Sequence, residues 1–208
     1  MPGPSPDEKF ERELAERRRQ GMEAAGRNAD IARTEHAAAF ESIEKSIRDL
    51  RKPGQPKKAR IFQLQQLGAQ WSGLYARHGA CRAGCAHCCH LETLLYRSEA
   101  EVVAKAIGRP LREPLKPKPA FSSEPVANAG YENPCIFLRD KRCSIYEARP
   151  QVCRTTVNLD DNPELCELLV SNGVSAPFAN WGSTRDMMDY LCQGETRADI
   201  RDWFRPEE

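Results

Sequence analysis

The run Cys81-Arg-Ala-Gly-Cys85-Ala-His-Cys88-Cys89 brings four thiols together, and Cys135, Cys143 and Cys153 follow. The 80 residues before this run contain no cysteine. Thiolates are soft, charged ligands suited to zinc and to iron–sulfur clusters, which typically take about four protein ligands converging on one centre. Cys85 and Cys88 form a Cys-x2-Cys knuckle, a local chelate that lets two sulfurs point at one metal. Cys89 adjoins Cys88, where side chains normally diverge, and Cys81 lies one turn upstream. A tetrahedral ion needs four of these seven thiols. The surplus leaves three arrangements open: two metals, a cluster with spare ligands, or some thiols that only pack. Cys166 and Cys192, isolated on apolar helix faces, read as small buried hydrophobes outside the site. His87 and His90 flank the knuckle and read as surface residues or as donors supporting the ligands rather than as ligands themselves.

A wider pattern surrounds the thiols. Asn133-Pro-Cys135-Ile-Phe-Leu138 is followed by Cys143-Ser-Ile-Tyr-Glu-Ala-Arg149-Pro150 and by Val152-Cys153-Arg154. Together with the first run this resembles the YkgJ-type cysteine-cluster family, CxxCxxCC proteins described as chelating zinc or iron. The resemblance implies that Cys81, Cys85, Cys88, Cys89, Cys135, Cys143 and Cys153 form the metal site. The first run departs from the family pattern, with three residues rather than two between Cys81 and Cys85. A related cluster is found in flagellin lysine methylases, so the resemblance also admits an iron–sulfur enzyme. No Gly-x-Gly-x-x-Gly follows a strand here. Cys81-x3-Cys85-x2-Cys88 has the spacing of radical enzymes, but a chain of 208 residues is short for the barrel they use. A third reading is a redox or metal-delivery module, for which the adjacent Cys88–Cys89 pair is suited.

The residues around the thiols have physical roles of their own. Pro150 fixes the backbone for a helical turn presenting Cys153, and Arg149 and Arg154 place positive charge near thiolates. Such charge lowers thiol pKa and offsets the negative charge of the site. Tyr146 reads as core packing.

Helices must supply the frame. Phe40, Ile43, Ile47 and Leu50 form one apolar stripe on a helix from Glu35 to Leu50, ended by Lys52-Pro-Gly-Gln-Pro-Lys57. Gly21 and Gly26 weaken the helix before it. Ile61, Leu64, Leu67, Trp71, Leu74 and Tyr75 repeat at helical spacing up to the first thiol and close a helical hairpin. Ser98-Glu-Ala-Glu101 is a capping box opening a helix that Gly108 and Pro110 end. Six prolines between residues 109 and 134 predict an extended loop. Cys135–Leu138 and Cys143–Tyr146 predict a hairpin around the polar turn 139–142. Asn162-Pro163 and Ser183 begin two later helices, and a short helix spans Arg197 to Phe204. The expected fold is mainly α with a small irregular β-hairpin, a metal-centred cysteine core flanked by N- and C-terminal helices. Residues 1–58 read as a charged helical extension and 59–205 as the cysteine-cluster domain.

Charge excludes some partners. Charged residues are 29% of the chain and cancel to a formal +1, without a basic patch near the cysteines, which argues against nucleic acid. The charged N-terminus offers no signal-peptide core, and no apolar run is long enough to cross a membrane. Nine thiols in a chain of this kind fit a reducing cytoplasm, where metal rather than disulfides would occupy them. A protein partner could dock on the N-terminal helices, whose pattern does not choose between docking, dimerisation and a lid over the cluster. The cofactor is zinc or iron, the latter including an iron–sulfur cluster.

Overall fold

The computed structural model describes residues 5–118, 133–172, 174–179 and 182–204. Among these residues it is mainly helical, as the sequence predicts, with two small two-stranded sheets where one hairpin was expected. Helix α1 (Pro6–Glu35) is capped by a reciprocal pair in which Ser5 Oγ accepts from the Glu8 N–H while the Glu8 carboxylate accepts from the Ser5 N–H. It runs unbroken through Gly21 and Gly26, against the expectation that these glycines weaken it. Tertiary packing overrides propensity at Gly21: an added Cβ would lie 2.7 Å from Leu165 Cδ1 and 2.8 Å from Asp160 Oδ2. The glycine is what lets α1 settle against the helix that holds Leu165. Beside it, Arg17 pairs with the buried Asp160 and with Glu164.

Helix α2 (Ala37–Asp49) buries Ile43 and Ile47, with Leu50 at its end and Phe40 packed beside them, the stripe seen in the sequence. After the proline turn, α3 (Lys57–Leu74) carries Ile61, Leu64, Leu67 and Trp71 into the same core, which also takes Ala25 and Ala32 of α1 and Met187, Met188 and Leu191 of α7 (Gly182–Leu191). Residues from both sides of position 58 therefore share one apolar cluster. A second cluster joins Leu95, Val103, Phe137, Ile200, Trp203 and Phe204.

Three expectations need correction. Helix α4 (Arg97–Ile107) forms as predicted and ends on left-handed Gly108, but Ser98 does not cap it. Ser98 Oγ and N–H instead both donate to the Glu195 carboxylate, a partner distant in sequence. Arg197–Asp199 is not helical. It is β4, paired antiparallel with β1 (Leu94–Tyr96), so that Leu95 meets Ala198. Both residues are fully buried, and the pairing outweighs local helix preference, leaving α8 as Ile200–Trp203. The predicted hairpin exists but is tighter: β2 (Leu138–Arg139) pairs with β3 (Arg142–Cys143) around Asp140 and Lys141, both at positive φ. Two consecutive positive-φ residues give the turn whose twist matches paired strands. Of the proline-rich stretch, 109–118 contains no helix beyond α4's end, Lys118 bridging to Arg197, and 119–132 lies outside the described residues.

Helix α5 (Gln151–Thr155) starts after Pro150 and presents Cys153, as expected. It lies against α3 at Gly68, where an added Cβ would fall 2.3 Å from Gln151 Nε2. Helix α6 (Glu164–Asn172) begins with Asn162 Oδ1 accepting from the Glu164 N–H. Among the described residues, no helix is long and apolar enough to cross a membrane.

Candidate metal centre

The first four cysteines lie on a loop that closes into a 3-10 turn, His87–His90. Its backbone is fixed from both sides. Ala80 N–H donates to Asn158 O at 3.1 Å, and Cys135 N–H donates to Cys89 O at 2.8 Å. The second bond ties the later cysteines directly to the first run. Arg201, from α8, adds a clamp: its guanidinium donates to Cys89 O and Leu91 O at 3.2 Å each and to Asn133 O at 2.7 Å. Asp199 holds the same guanidinium at 2.9 Å.

These ties gather all seven predicted thiols into one region. Cys88 sits at its middle, within electrostatic reach of Cys81, Cys85, Cys89, Cys143 and Cys153. Cys153 in turn faces Cys135 and Cys143. The described cysteines are all free thiols.

Several groups direct hydrogen-bond donors or positive charge at the sulfurs. Cys85, Cys135 and Cys143 each accept a backbone N–H from two residues on, at His87, Phe137 and Ile145. Cys81 Sγ accepts the Asn158 N–H at 3.2 Å. Arg149 supplies positive charge to Cys81, Cys88, Cys143 and Cys153, its guanidinium stacked 3.8 Å over the Tyr146 ring. Arg149 thus takes the predicted role. Arg154 donates to the carbonyls of Arg149 and Glu147, and its charge also reaches Cys153. Tyr146 is 55% exposed, so it is a platform for Arg149 rather than core packing.

Burial dominates the titration of most of these thiols. Desolvation pushes Cys81, Cys85, Cys135, Cys143 and Cys153 upward, with neighbouring thiolates adding to it. Cys88 goes the other way, because the Cys89 thiol hydrogen-bonds to it, and Cys89 is raised as the donor. Without metal the region holds one favoured thiolate among protonated thiols. A thiophilic ion would displace those protons and use the N–H donors and Arg149 to offset the charge. The donor set suits zinc or iron.

Two residues beside the thiols were not legible in the sequence. Cys166, set aside in the sequence, is buried on α6 but lies within reach of Cys81, Cys85 and Cys88. Asn158 bridges the two places, its backbone N–H on Cys81 and its Nδ2 on Cys166 Sγ, each at 3.2 Å. Cys192 packs as expected, buried with its sulfur 3.8 Å from Met188 Sδ. His87 pairs loosely with Glu167 at 3.7 Å, and His90 Nδ1 is buried without a hydrogen-bond partner among the described residues.

The family comparison falls on this same region. The CxxCxxCC family model, whose description is zinc or iron chelation, matches residues 80–168. Over that segment the chain is similar to CxxCxxCC domains. The segment spans a little under half of the chain, contains Arg149 and Asn158, and holds every cysteine except Cys192. No curated protein and no solved structure matches the chain. The helices outside the matched segment supply Arg201 and much of the apolar core beneath it.

Proposed function

We propose that this chain is a metal-holding protein in which Cys81, Cys85, Cys88, Cys89, Cys135, Cys143 and Cys153 hold iron or zinc in a centre of more than one metal atom. The observation that carries it is the gathering of seven thiols from three segments into one region about Cys88 and Cys89, with backbone N–H groups and Arg149 directed at the sulfurs. A zinc–thiolate bond of about 2.3 Å sets sulfurs of a single tetrahedral ion about 3.8 Å apart. Among the described residues, no three of these thiols lie mutually within 4.8 Å. That spread suits a core with bridging atoms between its metals, such as an iron–sulfur cluster, better than one ion.

Metal and acid-labile sulfide content of protein purified without oxygen, with its ultraviolet-visible spectrum, tests this. Iron and sulfide in a coloured protein, lost in Cys85→Ser and Cys153→Ser but kept in Cys192→Ser, is the expected result. One zinc per chain without sulfide would overturn the multi-metal reading, and no bound metal would overturn the whole of it.

A second reading, metal hand-over, draws on Cys88, which is the thiol biased toward thiolate and belongs to an exposed residue. Its mark would be one thiol that alkylates rapidly in the metal-loaded protein.

A further inference from the structure

A set of metal-capable side chains lies outside the thiols. Glu35 is the last residue of α1, His36 joins α1 to α2, and His78 follows α3 shortly before the knuckle. Among the described residues these are the one set of three histidine, cysteine or acidic side chains whose ligand atoms all lie within 4.8 Å of one another.

The core fixes their positions. At His36 the backbone stays hydrogen-bonded on both sides, its N–H to Ala32 O and its carbonyl to the Phe40 N–H, each at 3.0 Å, while φ of −121° turns the chain. His78 N–H donates to Tyr75 O at 2.9 Å. Tyr75 is buried and packed between Phe40 and Trp71. The two backbones are therefore held together by aromatic packing rather than by the polar side chains.

The side chains themselves are poised for an ion. His78 Nε2 lies 3.1 Å from Glu35 Oε2, and His36 Nε2 lies 4.0 Å from the same oxygen. Ligand bonds of about 2.1 Å to a tetrahedral ion place neighbouring ligand atoms about 3.4 Å apart, between those two values. The imidazole rings stand 6.4 Å apart at 62°, so they approach from different directions rather than stacking. His78 Nε2 is buried, and despite its closeness to Glu35 it has no aligned hydrogen-bond partner among the described residues. A simple ion pair leaves that nitrogen poorly directed. A metal ion between nitrogen and carboxylate would satisfy it.

We propose that Glu35, His36 and His78 bind one divalent first-row transition-metal ion of the zinc class, separate from the thiol centre. Two imidazoles and one carboxylate leave coordination positions to water on the exposed side of Glu35. Bound there, it fastens the α1–α2 corner to the segment that leads into Cys81. The proposal does not depend on what the thiols hold.

The test starts from the metal-loaded protein as purified, equilibrated with zinc and freed of excess before metal analysis. Wild type should retain one zinc per chain beyond its thiol-held metal, and His36→Ala should retain none of that extra zinc. His36 is 39% exposed in its side chain and makes no side-chain hydrogen bond at its cap, so this variant is expected to fold. Glu35→Gln should weaken retention, and Cys85→Ser should leave it unchanged. At a hundredfold excess over the dissociation constant, zinc should raise the melting temperature of wild type by about 5 °C or more and not that of His36→Ala. With cobalt in place of zinc, the extra ion should lack the sulfur-to-metal absorption of thiolate sites. Equal zinc retention and equal melting shifts in wild type and His36→Ala would overturn the site. Loss of the extra zinc in Cys85→Ser would assign it to the thiols and overturn the proposal equally.

Discussion

Gly79 should be the least replaceable glycine near the metal centre. An added Cβ would sit 2.3 Å from Asn158 O and 3.3 Å from Asn158 C, both backbone atoms. That backbone cannot retreat easily, because Leu159 N–H is bound to Pro177 O, Ala179 N–H is bound to Val157 O, and Val157 and Leu159 are buried. Gly79→Ala therefore forces the loop itself outward. The move strains or breaks Ala80 N–H to Asn158 O and Asn158 N–H to Cys81 Sγ. Overpacking costs about 1–3 kcal/mol and each weakened hydrogen bond about 1 kcal/mol, so a loss of about 3 kcal/mol or more is expected. For a domain of this size that is a fall of about 6–12 °C in melting temperature. Gly73 provides the control. It lies in α3 with nothing within 4 Å of an added Cβ, so Gly73→Ala should gain about 0.5–1 kcal/mol and melt slightly higher. Calorimetry of both variants at equal metal content decides the matter. A Gly79→Ala protein melting within a degree of wild type, or a Gly73→Ala protein falling as far, would refute the claim that this close approach holds the loop.

Three further outcomes follow from side chains already described. Arg149→Ala should leave the fold intact but weaken metal loading most at lower pH, because it removes the charge that eases deprotonation of Cys81, Cys88, Cys143 and Cys153; metal retention measured against pH would show the upward displacement. Arg17→Ala should cost about 3 kcal/mol in chemical denaturation, since it leaves Asp160 buried without its cation, and a loss under 1 kcal/mol would count against that pair. Glu99 is buried, accepting from Gln151 N–H at 2.7 Å and Gln65 Nε2 at 3.3 Å, and burial raises its pKa. A carboxyl with a raised folded pKa loses stability as pH climbs above the ordinary carboxylate range, so Glu99→Gln should gain on wild type with rising pH and match it in acid; unfolding curves across that range that stay parallel would contradict this.

How far the sequence could be read depended on the range of the interaction. The Phe40–Leu50 and Ile61–Tyr75 stripes, the Asn162 cap and the Pro150 start are local, and each is visible in spacing alone. Ser98 looked like a cap because its rival, Glu195, is remote in the chain. Arg197–Asp199 looked helical because its partner, Leu94–Tyr96, is equally remote. The seven cysteines that the fold gathers into one region are marked in the sequence by short spacing and by the family pattern. Cys166 was not, since only the packing of α6 on the 3-10 turn brings it near Cys81. Asn158 and Arg201 act through backbone contacts, to Cys81 and from Cys89, that no residue spacing encodes.

Arg201 also sets an order of events during synthesis. Its guanidinium holds the carbonyls of Cys89 and Asn133, so it joins the two halves of the thiol region, yet it is translated after all nine cysteines. While the ribosome still holds α8, the β1–β4 ladder and this clamp are missing, and the thiols have emerged without the frame that closes around them. Metal delivered early would meet an open, exchanging set of ligands, and only a chain that has emerged past α8 would trap it. A nascent chain stalled before Arg197 should accordingly surrender its metal to a chelator that the released protein resists.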